Sequence, residues 1–466
     1  MGIDKILTIF YKIKETYVNP MIKYKYQQKI SKGFDYMSQE NYIRNLLNIK
    51  DENIKFYKNF CEEGIKNGKK CKFINAYLSY IPTHCEKCGV VFASKEDYEK
   101  KGFSNKPSYV LIPKICKYTA YLKLDKQRIK CHHCNQSFTC KTDLVDFGCF
   151  ISNPTKLSIA SDLIKKRSEK DIAIDNDVSP NTVERVIDSY YDFKMLYKHY
   201  LPEALCFDEF KSVKAADGAM SFNMCDGTNG KTIDIVEDRK LINLLKYFSY
   251  YTHKARSRVK FIVIDMYSPY ISLIFKMFPN ASIIIDKFHL TQLISKAFNK
   301  TRIMAMKRNK KDYRKLKRYW KLLLKSRDEL KASVWKKYTC FNDLTTEIDI
   351  VNYLINSDDE LKDSYQAYQD LLYSFQHNDI KVLEASLNNN YEHLSSYMTT
   401  SINTLKHFLP YIKNTFNNNY HNGYIEGNNN FIKVIKRIAF GFRSFSRFKA
   451  RIMICKGLIL PKRKEA

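Results

Sequence analysis

A chain of 466 residues with 44% apolar content can bury more than one core, and its 79 Lys and Arg against 49 Asp and Glu leave a formal net charge of +30. The excess runs along most of the sequence instead of forming one tail, which points to nucleic acid as the partner. A membrane-spanning protein is excluded, because no stretch reaches the roughly 18 to 20 continuous apolar residues of a spanning helix. The N-terminus, MGIDKILTIFYKIKETYVNP, has a short apolar run broken by charges, no small-residue cleavage site, and Ile6 where a myristoylation signal wants Ser or Thr. A cytoplasmic protein is expected. Thirteen Cys, an odd number unevenly placed, do not suit a secreted disulfide scaffold.

Residues 1–80 alternate short apolar runs with Lys, Tyr and Asn. Ile43, Leu46, Leu47, Ile54 and Phe60 fall at helical spacing in Ser38 to Phe60, so a helical N-terminal region is expected, with no readable role. Residues 81–150 carry two C-x-x-C pairs, Cys85 with Cys88 and Cys131 with Cys134, each followed by an aromatic (Phe92, Phe138). Four thiolates from two tight turns can close a tetrahedral zinc site, and the pattern resembles a zinc ribbon. The 42 residues between the pairs exceed the usual gap and imply an insertion. His84, His132 and His133 could each replace one Cys but are better read as bystanders. Cys140 and Cys149 lie too far along and are expected as buried free thiols.

Residues 151–200 read as a helix-turn-helix. Ser168 starts a helix carrying Ile172, Ala173 and Ile174, Asp175 to Val178 form a polar turn, and Ser179 caps a helix that opens with Pro180. In that motif the early residues of the second helix face DNA bases, here Asn181, Thr182 and Arg185. From Leu201 the texture turns to strand: ALCFDEFKSV, AMSFNMCDG and KTIDIVEDR, then a helix, the buried run RVKFIVIDM, a helix at Pro269 to Phe278, and ASIIIDKFHL. The order β-β-β-α-β-α-β resembles the ribonuclease-H-like fold, in which the first and fourth strands lie side by side. Residues 291–405 have no strand signal and are expected to be a helical insertion, basic from Lys300 to Lys337; its Trp320 and Trp335 are expected in its core, or else stacking on bases near a distorted DNA end. Residues 406–456 return to the catalytic domain begun at 201–290.

Asp208 and Asp265 each end an apolar, β-branched run, where a parallel sheet presents side chains to ligands. Glu426 is the one acid in GYIEGNNNFIKVIKRIAFGFRSFSRFKARIM, against seven Lys and Arg. Two strand-end aspartates and a helix-borne glutamate make a divalent-metal site, in basic surroundings suited to a polyanion. Asp286 competes with Asp265, but strand count favours Asp265, the end of the fourth strand. Glu209 points to the opposite face of its strand from Asp208, and Asp234 and Glu237 are expected to be solvated. Lys433, Lys436 and Arg437 lie at helical spacing after Glu426 and, with Arg443, are expected to hold DNA phosphates.

Taken together these motifs resemble bacterial insertion-sequence transposases of the DDE class, most closely the ISL-three family, over roughly residues 82 to 456. The resemblance rests on the Cys pairs, the helix-turn-helix, DEF at Asp208 to Phe210, IDMYSPY at Ile264 to Tyr270, FPNASIIIDKFHL at Phe278 to Leu290, and EGNNNFIKVIKRIAFGFRSF at Glu426 to Phe445. It implies an α/β catalytic core of ribonuclease-H-like type, a mixed five-stranded sheet with helices and a large all-α insertion, preceded by the zinc ribbon and the helix-turn-helix. It further implies two magnesium or manganese ions on Asp208, Asp265 and Glu426, with Asp286 and His289 supporting them, and one structural zinc. Element ends and target DNA are then the double-stranded substrates, cut by water and joined by the freed 3′-hydroxyl, and a dimer on DNA fits two ends per reaction. The alternatives are a non-catalytic zinc-ribbon and helix-turn-helix regulator, or a structure-selective nuclease of the same fold.

Overall fold

The structure is a computed structural model and describes residues 39–190 and 199–458. What was expected of residues 1–38 lies outside the described residues. Two compact units divide the chain, the first running to residue 162 with 170–186, the second comprising 163–169 and the residues from 187 on. The division passes through 151–200, the span expected as a helix-turn-helix.

In the first unit, helix α1 (Gln39–Leu46) buries Ile43, and Asn48 in the left-handed region ends the helical path. The helix expected to continue to Phe60 is instead a strand. Ile54 and Phe56 are buried with exposed residues between them, the two-residue period of a sheet, and β1 (Ile54–Lys66) pairs with β2 (Lys69–Leu78). Their register, Lys66 opposite Lys69, leaves a two-residue turn at Asn67-Gly68 with both residues at positive φ. Asn-Gly is the pair that such a turn favours. Strands β3 (Tyr98–Phe103), β4 (Ser108–Ile115), β5 (Tyr118–Cys131) and β6 (Ser137–Thr139) complete this sheet. The fourteen-residue β5 is its axis: the first half runs parallel to β2 and antiparallel to β4, the second half antiparallel to β3 and β6. The insertion expected in the 42-residue gap between the Cys pairs consists of three strands, the last of which carries Cys131.

Helices α2 (Asn153–Leu163), α3 (Glu169–Asp175) and α4 (Pro180–Tyr190) follow. The Ser179 hydroxyl accepts a hydrogen bond from the Thr182 backbone N–H at the start of α4. The α3–α4 turn is tied to the sheet through Asp177, in the left-handed region at φ 52°. Its carboxylate accepts from the Thr119 hydroxyl at 2.7 Å and pairs with Lys114 at 3.2 Å and Lys69 at 3.4 Å.

The second unit is built on a mixed five-stranded sheet of β7 (Ala204–Lys211), β8 (Met220–Asp226), β9 (Thr232–Val236), β10 (Phe261–Ile264) and β11 (Ser282–Ile285), in the order β11-β10-β7-β8-β9. Neighbours β11, β10 and β7 run parallel, while β8 and β9 are antiparallel. Helices α5 (Leu241–Ser249), α6 (His253–Ser257) and α7 (Ser268–Met277) lie between the third and fifth strands. After β11 come α8 (Lys287–Arg308), α9 (Tyr313–Arg318), α10 (Trp320–Leu323), the two-residue strands β12 (Lys336–Lys337) and β13 (Leu344–Thr345), α11 (Glu347–Ile355), α12 (Asp359–His377), α13 (Ile380–Asn388), α14 (Ser396–Phe416), α15 (Gly423–Ile438) and α16 (Phe445–Cys455).

One face of the sheet, through Phe207, Phe222, Ile264 and Ile285, joins α5, α7 and the helices from α8 to α14 in one continuous core. The helical segment 291–405 thus shares its core with the sheet. Trp320 and Trp335 are not core residues: they are 38% and 62% exposed. The opposite face carries Cys206, Cys225, Val263 and Ile284 and is covered by Ile425 of α15. Further along, Ile432 and Ile435 pack with Phe210, Ile235 and Phe448. A side chain on Gly230, which has φ 72°, would strike the Tyr424 ring at 2.8 Å, so a glycine is what lets α15 settle against the β8–β9 turn. Asn428 adds a bond to the Gly230 carbonyl at 3.0 Å.

Candidate active site

Strand register brings the first two acids together. Cys206 pairs with Val263 across the parallel β7–β10 ladder. Asp208 and Asp265 each lie two residues further on, so both leave adjoining strands on the face that α15 covers. Glu209 alternates to the other face, where Arg239 pairs with it and the Tyr270 hydroxyl donates to it at 3.0 Å. Asp234, expected to be solvated, is buried: the Tyr247 hydroxyl donates to it at 2.7 Å and Lys449 pairs with it at 2.5 Å.

Burial, and next the charge of Asp265, push the Asp208 carboxyl up to about 7. One of its oxygens accepts from the Glu209 N–H at 2.7 Å and the other from Asn429 Nδ2 at 2.6 Å. Asn429 is itself held, its Oδ1 accepting from Asn223 Nδ2 at 2.9 Å; Asn223 faces Asp208 across the antiparallel β7–β8 pair. Asp265 Oδ1 sits 2.9 Å from His289 Nδ1 and accepts from Asn422 Nδ2 at 3.2 Å. Asp286 ends β11 and stands at the cap of α8, whose first turn holds His289; its Oδ1 accepts the Asn422 backbone N–H at 3.4 Å. The bond to Asp265 raises the His289 pKa, and burial raises that of Asp286.

Among the described residues, ligand atoms of Asp265, Asp286 and His289 all lie within 4.8 Å of one another, with Asp208 and Glu426 outside that group. Asp286 and His289, read from sequence as supports, therefore stand with Asp265 in one group that could hold a metal ion. Glu426 is exposed on α15, one helical turn after Asn422 and just under one turn before Asn429. Since those two asparagines touch Asp265 and Asp208, Glu426 is on the stretch of helix between the two acids. The asparagines were missed in the sequence. Their signal was Asn422, Ile425, Asn429 and Ile432 at 3, 4 and 3 residue intervals, a buried helix stripe with amides in it.

The four Cys of the first unit also converge. Cys85 Sγ lies 3.7 Å from Cys134 Sγ, and Cys88 Sγ lies 4.0 Å from Cys131 Sγ. All four sulfurs are within 4.8 Å of one another. Each pair sits in a tight turn closed by a left-handed residue, Gly89 after Cys88 and Asn135 after Cys134. Burial opposes ionisation of Cys85, but the N–H groups of Cys88 and Lys87 and the neighbouring thiols bring it down to about 7. The Gln136 N–H favours the Cys134 thiolate, yet burial and the other three thiols push it up to about 12. His132 and His133 are engaged elsewhere, with the Glu96 carbonyl and Asp97. Cys140 is buried as expected, whereas Cys149 is exposed.

The expected DNA contacts divide. Asn181, Arg185, Lys433, Arg437 and Arg443 are exposed. The Thr182 hydroxyl lies 3.1 Å from that of Ser179, within its own helix cap. The Lys436 ammonium is taken up by the Lys211 and Ser212 carbonyls at 2.8 and 2.7 Å, where it fastens α15 to the end of β7 instead of facing solvent.

A family model described as transposase, of the DDE class and the ISL-three group, matches residues 205–452, more than half of the chain. The chain belongs to this transposase family. The match spans β7 to α16, hence every acid of the site. A protein of Lactococcus lactis subsp. lactis named ATP-dependent protease is 46% identical over 112 residues, 24% of this chain and 36% of that protein. The chain thus matches about a third of the length of that curated relative. No helix among the described residues is long and apolar enough to cross a membrane.

Proposed function

We propose that this transposase binds the ends of its own insertion sequence and, with two magnesium or manganese ions, cleaves a DNA strand there and transfers it to target DNA. The observation that carries the reading is the pairing of Asp208 and Asp265 on adjoining parallel strands, with a carboxyl pushed up to about 7 and, among the described residues, no Lys or Arg paired with either. Acids arranged this way are poised for an outside cation, and carboxylate oxygen is what hard divalent ions prefer. Asp208 and Asp265 would hold the ions, with Glu426 approaching from α15 and Asp286 from the end of β11. When bound, such ions activate the attacking oxygen and stabilise the leaving one in a phosphoryl displacement. The protein's part is positional: Asn429 fixes one oxygen of Asp208, His289 and Asn422 fix Asp265, and α15 closes the face above them. The strand order and the adjacency of the first and fourth strands support a ribonuclease-H-like core.

The Cys quartet suits one structural zinc. Zn–S bonds of about 2.3 Å in a tetrahedron put sulfurs about 3.8 Å apart, close to the 3.7 and 4.0 Å separations here. Exposed Asn181 and Arg185 on α4, with Lys433, Arg437 and Arg443 beyond Glu426, form the reading for DNA contact, and two ends per reaction favour a dimer. The test uses labelled element ends and target DNA with Mg2+. Cleaved and joined product is expected; cleavage without joining would favour a nuclease, and end binding without cleavage a regulator.

A further inference from the structure

Asn422 precedes α15 and touches both acids of the donor cluster. Its Nδ2 donates to Asp265 Oδ1 at 3.2 Å and its backbone N–H to Asp286 Oδ1 at 3.4 Å. The residue is 6% exposed, and its Oδ1 is buried with no hydrogen-bond partner. A buried carbonyl oxygen left unpaired costs about 1–3 kcal/mol and calls for a reason. We propose that Asn422 is an oxygen ligand for the divalent cation that binds at Asp265.

The contrast with Asn429 supports this. Asn429 uses both ends of its amide, Nδ2 on Asp208 and Oδ1 on Asn223, so its orientation is locked. The other orphaned amide oxygen of the site, on Asn223, belongs to a group whose nitrogen Asn429 needs, so it cannot turn without breaking that chain. Asn422 has no such restraint on its oxygen. In the absence of an ion its N–H offers Asp265 a partial positive charge beside that of the His289 ring. Turned by half a rotation, the amide sets Oδ1 where Nδ2 now stands, an arrangement that repels Asp265 unless a cation lies between them. Amide oxygens are ordinary ligands for hard divalent ions. Glu426 lies one turn further along the same helix, so α15 would bring two oxygens to the cation from one side.

The inference rests on the divalent-metal reading of the site, and the experiment separates the two. Mn2+ binding to the zinc-replete full chain is measured by the EPR signal of free Mn2+ for wild type, Asp265→Asn, Asn422→Ala, Asn422→Asp and Asn422→Ser. If Asn422 only donates a hydrogen bond, Asn422→Asp loses the donor and binds no better than Asn422→Ala. If it is a ligand, Asn422→Ala loses about tenfold in affinity while Asn422→Asp stays close to wild type, since it supplies an oxygen of the right kind. Asn422→Ser, small and neutral, gives the same comparison should the carboxylate prevent folding, and it is expected to bind more tightly than Asn422→Ala. Asn422→Asp, or Asn422→Ser where the former does not fold, falling level with Asn422→Ala overturns the inference, as does wild-type affinity in Asn422→Ala. Wild-type protein with no Mn2+ binding that Asp265→Asn removes sinks the metal-site reading itself.

Discussion

In the first unit four sulfurs converge from two tight turns, and at the other end of β5 an acid, Asp177, is met by Lys114, Lys69 and a hydroxyl from the same unit. In the second unit Asp208 and Asp265 lie side by side, and the groups that meet them are two asparagine amides and a histidine. Burial opposes the charge of Asp177 as it does that of Asp208, yet Thr119 and Lys114 hold Asp177 below the usual carboxylate range while Asp208 is driven up to about 7. The difference lies in who supplies the positive charge. Asp177 draws it from its own chain; Asp208 has no Lys or Arg partner among the described residues, which suits the cation proposed for it.

Removing a cation from the first unit should be the more damaging change. Structural zinc supplies roughly 10–16 kcal/mol in small sites. Cys131→Ser, at the end of the axial strand β5, is therefore expected to cost several kcal/mol and to expose the β3–β5–β6 end of the sheet, as read by amide hydrogen exchange. Unchanged exchange there in the variant or under strong chelation would break the comparison on its structural side.

Asp208→Asn should do the reverse, abolishing chemistry while sparing the fold. Strand cleavage in Mg2+ is expected to fall about a thousandfold, roughly 4 kcal/mol of lost transition-state stabilisation. The sign of the pH effect follows from the raised pKa. Below about pH 4 the carboxyl is protonated in both states and contributes nothing; between about 4 and 7 the unfolded chain ionises first, so cation-free protein loses stability as pH rises. Denaturation in chelator should show that loss in wild type and not in Asp208→Asn, and Mg2+ should restore it. A wild type whose cation-free stability is flat over this range would contradict the account.

How much of this the sequence revealed depends on the range of the interaction. Asp208 and Asp265 were legible because each ends an apolar run, and the register that joins them follows from strand order. The Cys quartet was legible from two short spacings. The strands before it were misread, although Asn67-Gly68 announces a hairpin, because Ile43, Leu46 and Leu47 do form a helix and Ile54 and Phe60 fit the same period by coincidence. The asparagines were out of reach for a different reason. Asn429 meets Asp208 across 221 positions, and an amide gives no hint in sequence of whether it is solvated or holds a carboxylate. Trp335 was misplaced because a large aromatic is more often buried than not.

Asp177→Asn tests the fold-serving acid. The substitution keeps an acceptor for Thr119 but removes the charge that faces Lys114 and Lys69, so about 1–3 kcal/mol should be lost at neutral pH. Because the folded pKa is depressed, that contribution is present above about pH 4 and disappears as pH falls through the folded value. Wild type and variant should therefore converge in denaturant midpoint in acid. A gap that persists once Asp177 is protonated in the folded state would assign the stabilisation to shape, not charge.

Lys436 and Arg437 are neighbours on α15, yet their environments predict different losses. Lys436 spends its ammonium on the Lys211 and Ser212 carbonyls, and burial lowers its pKa. Lys436→Met keeps most of the side-chain length and should cost about 1 kcal/mol of stability, with no change in how DNA affinity depends on salt. Arg437 is exposed on the same helix, and Arg437→Ala should leave stability within about 0.5 kcal/mol of wild type while lowering the slope of log affinity against log salt by about 1. Should Lys436→Met also reduce that slope, its ammonium would have to leave the Lys211 and Ser212 carbonyls when DNA binds, leaving Asn429 on Asp208 as the polar tie between β7 and α15.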